Sequence, residues 1–205
     1  MNNIQDLVAR TTKTLILDEP FYGLFLIGIN KQFSNKLPTA GVSKHGIGMQ
    51  LTVNPEFYIN LSEDHRSGLI KHELLHIAFG HLVMRDLYLN HKLFNIAADL
   101  EINQYISEHK LPQGGLLLSS FPELNLPTKA GTKVYYNLLE QAQQDGTCPS
   151  LDNLMDQMDG ESQYCHSTWE EFDDLSEADK KLVQKQIDHQ LKEATEQTVK
   201  KQGSI

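Results

Sequence analysis

The stretch Lys71 to His81 reads KHELLHIAFGH and gathers residue types able to hold a metal ion and move a proton. On a helix, His72 and His76 stand four positions apart and project from one face, close enough for both imidazoles to share an ion. Glu73 is rotated by about 100° from His72, so its carboxylate flanks the ion without binding it. This is the H-E-x-x-H arrangement of two ligands and a general base. Neutral imidazole suits a borderline-soft ion such as Zn²⁺, and a hydrolytic centre needs three protein ligands with a fourth position left to water. The ion brings that water's pKa down to roughly 7, where a neighbouring glutamate can take its proton. The competing reading is an amphipathic helix whose histidines have no chemical role. Burial weighs against it: Leu69, Ile70, Leu74, Leu75, Ile77, Ala78, Leu82 and Val83 make the helix broadly apolar, and ionisable groups inside it are costly without partners.

A third ligand must come from elsewhere. The following segment, NHKLFNIAADLEINQYISEH, reads as a second helix on Phe94, Ile96, Ala97, Leu100, Ile102 and Tyr105, and its candidates are Asp99 and Glu101. These two lie about 200° apart around a helix, so one of them is expected to look inward. Ala97 and Ala98 would let the helices approach closely at Asp99, which favours that residue while leaving Glu101 as a rival. Asn103, one turn beyond Asp99, could hydrogen-bond a ligand. His81 is another rival; it stands about 140° around a regular helix from His76, and only a sharp turn at Gly80 would bring it back.

The elements around this pair set the expected frame. Ile4, Leu7, Val8, Thr11 and Leu15 predict an amphipathic helix from Ile4 to Asp18, ending before Pro20. Leu24 to Ile29 is expected as a buried strand. The segment from Lys36 to Phe57 predicts a hairpin turning at Gly46, with Met49, Leu51 and Val53 on the buried side of its second arm. That arm, just ahead of the histidine helix, is where an extended peptide could be added to a sheet edge. Ser62 is placed to cap a helix running from about Glu63 to Leu87, with Glu63 and Asp64 in its first turn.

Beyond the second helix the chain is loop-rich from Pro112 to Thr132, a wall or lid over the site. A short helix is expected over Val134 to Gln143. An acidic connection follows from Asp145 to Glu161, whose Leu151, Leu154, Met155 and Met158 fall at helical spacing as packing residues. QYCHSTWEEF then holds the single tryptophan beside Tyr164, Cys165 and His166. His166 or Tyr164 could donate to a developing oxyanion, Cys165 could cap a metal, and the plainer reading is a tail docked through Trp169. Ser176 caps a last amphipathic helix to Gln202, which could pack on the domain or on a second copy, giving a homo-oligomer.

Composition narrows the function classes. The 205 residues carry a formal net charge of −9, and no basic cluster offers a nucleic-acid surface. No apolar run approaches the ~20 residues needed to span a bilayer, and the first residues lack a secretory pattern, so a cytoplasmic setting is expected. Two cysteines, Cys148 and Cys165, are expected to stay reduced there.

KHELLHIAFGHL followed by FNIAADLEINQYI resembles a metallopeptidase-like domain family usually found upstream of a von Willebrand factor A-like domain, in which an HExxH helix is joined to a helix bearing A-x-D-x-x-x-N. The lead-in GVSKHGIGMQLTVNPEFY is similar to that family too, and the likeness covers roughly Phe21 to Ile106. The resemblance implies His72, His76 and Asp99 as zinc ligands, Glu73 as base and a His after the metal helices, here His166. It also implies an α+β fold with a zincin-like metallopeptidase core. The aspartate in place of glutamate departs from the gluzincin pattern, and Gly80 and His81 fall at the wrong offsets for a metzincin. No DxSxS metal motif follows, which suggests a short stand-alone relative, bacterial or phage-encoded. The expected organisation is a core over 1–110, a covering segment over 111–175 and a terminal helix over 176–205, all within one compact unit. Hydrolysis of a peptide or protein substrate is the leading function; a binding or assembly module with a structural zinc site is the alternative.

Overall fold

The computed structural model describes residues 3–160 and 168–203. It is an α+β arrangement of helices around a small sheet. In chain order come α1 (Ile4–Asp18), α2 (Pro20–Ile27), β1 (Asn30–Phe33), β2 (Ala40–His45), β3 (Gly48–Val53), α3 (Pro55–Asn60), α4 (Glu63–Ala78), α5 (His81–Met84) and α6 (His91–Ile102). After a stretch of 3-10 turns follow α7 (Thr132–Asp145), α8 (Pro149–Gly160), α9 (Glu170–Asp173) and α10 (Glu177–Gln202).

The first helix has the expected bounds because Asn3 caps it, accepting from the Gln5 amide, while Leu7, Val8, Thr11 and Leu15 face the core. Buried Tyr58 of α3 donates to Thr11 Oγ1 at 2.7 Å, and Thr11 in turn donates to the Leu7 carbonyl at 3.1 Å. Burial pushes the Tyr58 phenol up to about 12, against the hydrogen bond to Thr11 and the nearby Arg66, so it stays a neutral donor.

The strand expected over Leu24 to Ile29 is instead the second half of helix α2. Pro20 starts that helix, where its missing N–H is no loss. Gly23 lies so tightly on α1 that an added Cβ would come within 2.5 Å of the Ile16 nitrogen. The apolar run packs against α1 and α10, and because its exposed side also carries an apolar residue, Ile27, it shows no amphipathic period.

The sheet has the order β1-β3-β2, with β1 parallel and β2 antiparallel to β3. The hairpin forms as expected, with Gly46 at φ 61° in the turn and Met49, Leu51 and Val53 buried. β3 is nevertheless the central strand, hydrogen-bonded on both sides, so a peptide has no edge there to join. On the outward edge of β2, the Val42 carbonyl accepts from Thr168 Oγ1 at 2.7 Å and the Lys44 amide donates to the Glu171 carboxylate.

Helix α4 begins at the Ser62 cap, whose hydroxyl accepts from the His65 amide. It ends at Ala78, well before Leu87, because Gly80 takes φ 72°. The Phe79 amide still donates to Leu75 and the Gly80 amide to Ile77, which closes the helix end. The apolar pattern runs on through Leu82 because α5 buries that residue as well. Asn90 caps α6, and Ala97 and Ala98 are fully buried along it.

α7 and α8 extend the expected short helix and acidic connection into regular helices, with Leu151 and Met158 in the core. On α10, Val183, Ile187 and Ala194 are buried within the chain's own core, while Leu182 and Val199 are exposed, so only part of the expected stripe is used. Ion pairs between Arg85 and Asp173 and between Lys180 and Asp86 bind α9 and α10 to the turn after α5. Among the described residues no helix is long and apolar enough to cross a membrane.

Candidate metal centre

Helices α4 and α6 meet where His72, His76 and Asp99 project into a common space. One ligand atom from each lies within 4.8 Å of the others. His76 Nε2 is 3.0 Å from His72 Nε2 and 3.2 Å from Asp99 Oδ1, and His72 Nε2 is 3.6 Å from the same oxygen. Ligands held tetrahedrally at about 2.0–2.2 Å from a zinc-sized ion stand roughly 3.3–3.5 Å apart, so the three spacings bracket what a shared ion requires.

The surrounding contacts are consistent with one assignment of the ring protons. Asn103 Nδ2 donates to the Leu116 carbonyl at 2.8 Å, which turns Asn103 Oδ1 toward His72 Nδ1, also at 2.8 Å. His72 therefore donates from Nδ1 and keeps a lone pair on Nε2. Behind His76, its Nδ1 lies 2.9 Å from His81 Nδ1, and His81 Nε2 faces Glu101 Oε2 at 3.2 Å and Thr132 Oγ1 at 3.0 Å. The Glu101 carboxylate accepts from the Thr132 hydroxyl and, at 2.9 Å, from the Thr132 amide. Burial pushes Glu101 up, but the hydrogen bond from His81, those from Thr132 and the nearby imidazole together hold its carboxyl below the usual range. A carboxylate only accepts, so His81 carries a proton on Nε2; in the tautomer that leaves its Nδ1 bare it accepts there from His76. His76 Nε2 is then a lone pair too. Two imidazole lone pairs and a carboxylate converge, a donor set suited to a divalent cation.

The residues expected from the motif are thus brought together: His72, His76 and Asp99 face one another, and Asn103 holds His72. The two rivals for the third ligand take another place. The break at Gly80 swings His81 back behind His76, on the side away from Asp99, and Glu101 reaches around to His81. Of the two acids on α6, Asp99 faces the imidazoles of α4 while Glu101 turns to His81, in keeping with their separation of about 200° around the helix. Thr132 is the partner that sequence reasoning missed; it sits at the start of α7, with only the preceding Gly131 turn to mark it.

Glu73 is 1% exposed, with both carboxylate oxygens enclosed. Trp169, fully buried, sets its ring edge-on to His76 with centroids 4.7 Å apart and also meets Phe94. The expected docking of the tail through Trp169 is therefore seen in place. The His72 and Asp99 side chains keep 13% and 18% exposure, leaving one side of the cluster within reach of solvent. His166, Tyr164 and Cys165 lie outside the described residues. Cys148 is a buried thiol that faces the Glu123 carboxylate; burial, with Glu123 and Asp152 nearby, pushes the thiol up, although a hydrogen bond from the Leu151 amide opposes this.

Comparison with curated proteins and with solved structures found no match. A sequence model of a family described as "Putative metallopeptidase domain" matches residues 6–204, reaching well past the motif helices to the end of α10. With that match over nearly its whole length, and with a His/His/Asp cluster able to take a metal at its centre, the chain belongs to that metallopeptidase domain family.

Proposed function

We propose that the chain is a zinc-dependent peptidase built on a zincin-like core. The observation that carries this reading is the convergence of His72, His76 and Asp99, whose ligand atoms lie within 4.8 Å of one another, with both imidazole rings held from behind. His72, His76 and Asp99 would hold the ion, and Zn²⁺ suits two nitrogens and one oxygen. Bound there, the ion would supply Lewis-acid polarisation of a carbonyl and a more acidic water. Glu73, adjacent to His72, would accept the proton of the attacking water at a carboxylate oxygen and pass it to the departing amine nitrogen. The buried wall of Glu73, His76 and Trp169 would keep bulk water away from that transfer, and His166 is proposed as a donor to the oxyanion. The substrate would be a peptide or protein reaching the open side formed by His72 and Asp99. The acidic charge disfavours nucleic acid, and we place the chain in a bacterial or phage-infected cytoplasm.

The enclosure of Glu73 and the seat of Trp169 on His76 favour a second reading, an assembly module whose metal is structural. Glu73→Gln separates the two. For a peptidase, cleavage of a peptide library falls at least 100-fold while metal content and melting temperature hold. A wild-type chain that binds zinc yet cuts nothing supports the module.

A further inference from the structure

We propose that His81, Glu101 and Thr132 form a positioning relay that aims His76 at the ion and tunes how strongly it binds; this rests on the metal centre proposed above. The relay crosses four elements. It runs from His76 on α4 to His81 at the start of α5, then to Glu101 on α6 and Thr132 at the start of α7. Both His76 and His81 are fully buried, which closes the imidazole–imidazole link to water, while the Glu101 side chain is 15% exposed. Imidazoles that bind metal need their second nitrogen held, which sets the tautomer and raises ligand basicity. Here a second imidazole stands between ligand and carboxylate, so the negative charge acts on His76 from one ring further away. His72 is held differently, by the neutral amide of Asn103. The two ligands therefore differ in basicity although they come from one motif.

The geometry explains otherwise costly features. The left-handed turn at Gly80 is the backbone device that returns His81 beneath His76. The Thr132 amide and hydroxyl both converge on one Glu101 oxygen, which fixes the carboxylate at the start of α7. The arrangement gives two fully buried histidines the polar partners that burial demands.

The test measures metal affinity by chelator competition and the visible spectrum of the Co²⁺-loaded chain. The wild type is compared with His81→Phe, His81→Asn and Glu101→Gln, and the melting temperature of each metal-free variant is recorded. His81→Phe removes the acceptor for His76 and should weaken Zn²⁺ binding by about 10–100-fold, with an altered Co²⁺ spectrum. His81→Asn keeps an acceptor near the position of the ring nitrogen and should recover part of the loss. Glu101→Gln keeps a hydrogen-bond acceptor but removes the charge, and should weaken binding less than His81→Phe. Unchanged affinity and spectrum in His81→Phe and Glu101→Gln would overturn the relay while leaving the metal centre standing. A loss that only follows a lowered metal-free melting temperature, without recovery in His81→Asn, would overturn it as well. Failure of the wild type to bind Zn²⁺ or Co²⁺ would remove the centre itself, and the relay with it.

Discussion

At the scale of single residues, Asn103 joins two needs that the sequence states separately. Its amide donates to the Leu116 carbonyl while its oxygen holds His72 Nδ1. Asn103→Ala leaves the half-buried His72 ring and Leu116 carbonyl without this partner, and each lost hydrogen bond costs about 0.5–1.5 kcal/mol. We expect chemical denaturation of the metal-free chain to show a loss of about 2 kcal/mol. The same variant should also weaken metal binding, because the His72 ring is no longer fixed. Tyr58→Phe offers a contrast, since it removes a donor to Thr11 but leaves Thr11 its bond to Leu7. Its cost should be nearer 1 kcal/mol, with metal affinity untouched.

At the scale of elements, Gly80 is the point where one expected helix becomes two. Gly80→Ala places a Cβ at φ 72°, where space is adequate but the conformation itself costs roughly 1 kcal/mol or more. We expect a lower melting temperature together with weakened metal binding, as His81 loses its aim; a drop in stability alone would dissociate the turn from the centre. This position also shows what the sequence could and could not reveal. His72, His76 and Asp99 were legible because helical periodicity places i and i+4 on one face, and small Ala97 and Ala98 mark a close helix approach. The return of His81 was not, because one glycine reverses the chain while the apolar pattern of Leu82 and Val83 continues across it. Helix α2 differs from the expected strand for a related reason, since apolar residues stand on its exposed side as well, at Ile27, and leave no period to read. Thr132 contributes through its position at a helix start, which spacing within α4 and α6 cannot disclose.

At the scale of the whole molecule, an ion held between α4 and α6, as proposed, would link metal binding to stability. An ion held at about 1,000 times its Kd adds roughly 4.1 kcal/mol. Chelation should therefore lower the melting temperature, and re-addition of metal should restore it. The C-terminal part packs on the site: Trp169 is buried against His76 and Phe94, and the Arg85–Asp173 and Lys180–Asp86 pairs fasten its flanks. Trp169→Ala should cost about 3–5 kcal/mol in denaturation experiments, as expected for an aromatic side chain removed from a packed core. The family match from residue 6 to 204 accords with a site whose wall is supplied by the tail.

The contacts of Thr168 and Glu171 with β2 also bear on colloidal behaviour. An unpaired strand border is a template for other chains, and this sheet has two. β1 is only four residues long and carries Lys31, whose ammonium group is tied to the Leu26 and Ile29 carbonyls. β2 is longer, and its outward groups at Val42 and Lys44 are engaged by the tail. Removing those engagements with Thr168→Val and Glu171→Ala should leave β2 adhesive, so that light scattering rises with concentration while the wild type stays dispersed.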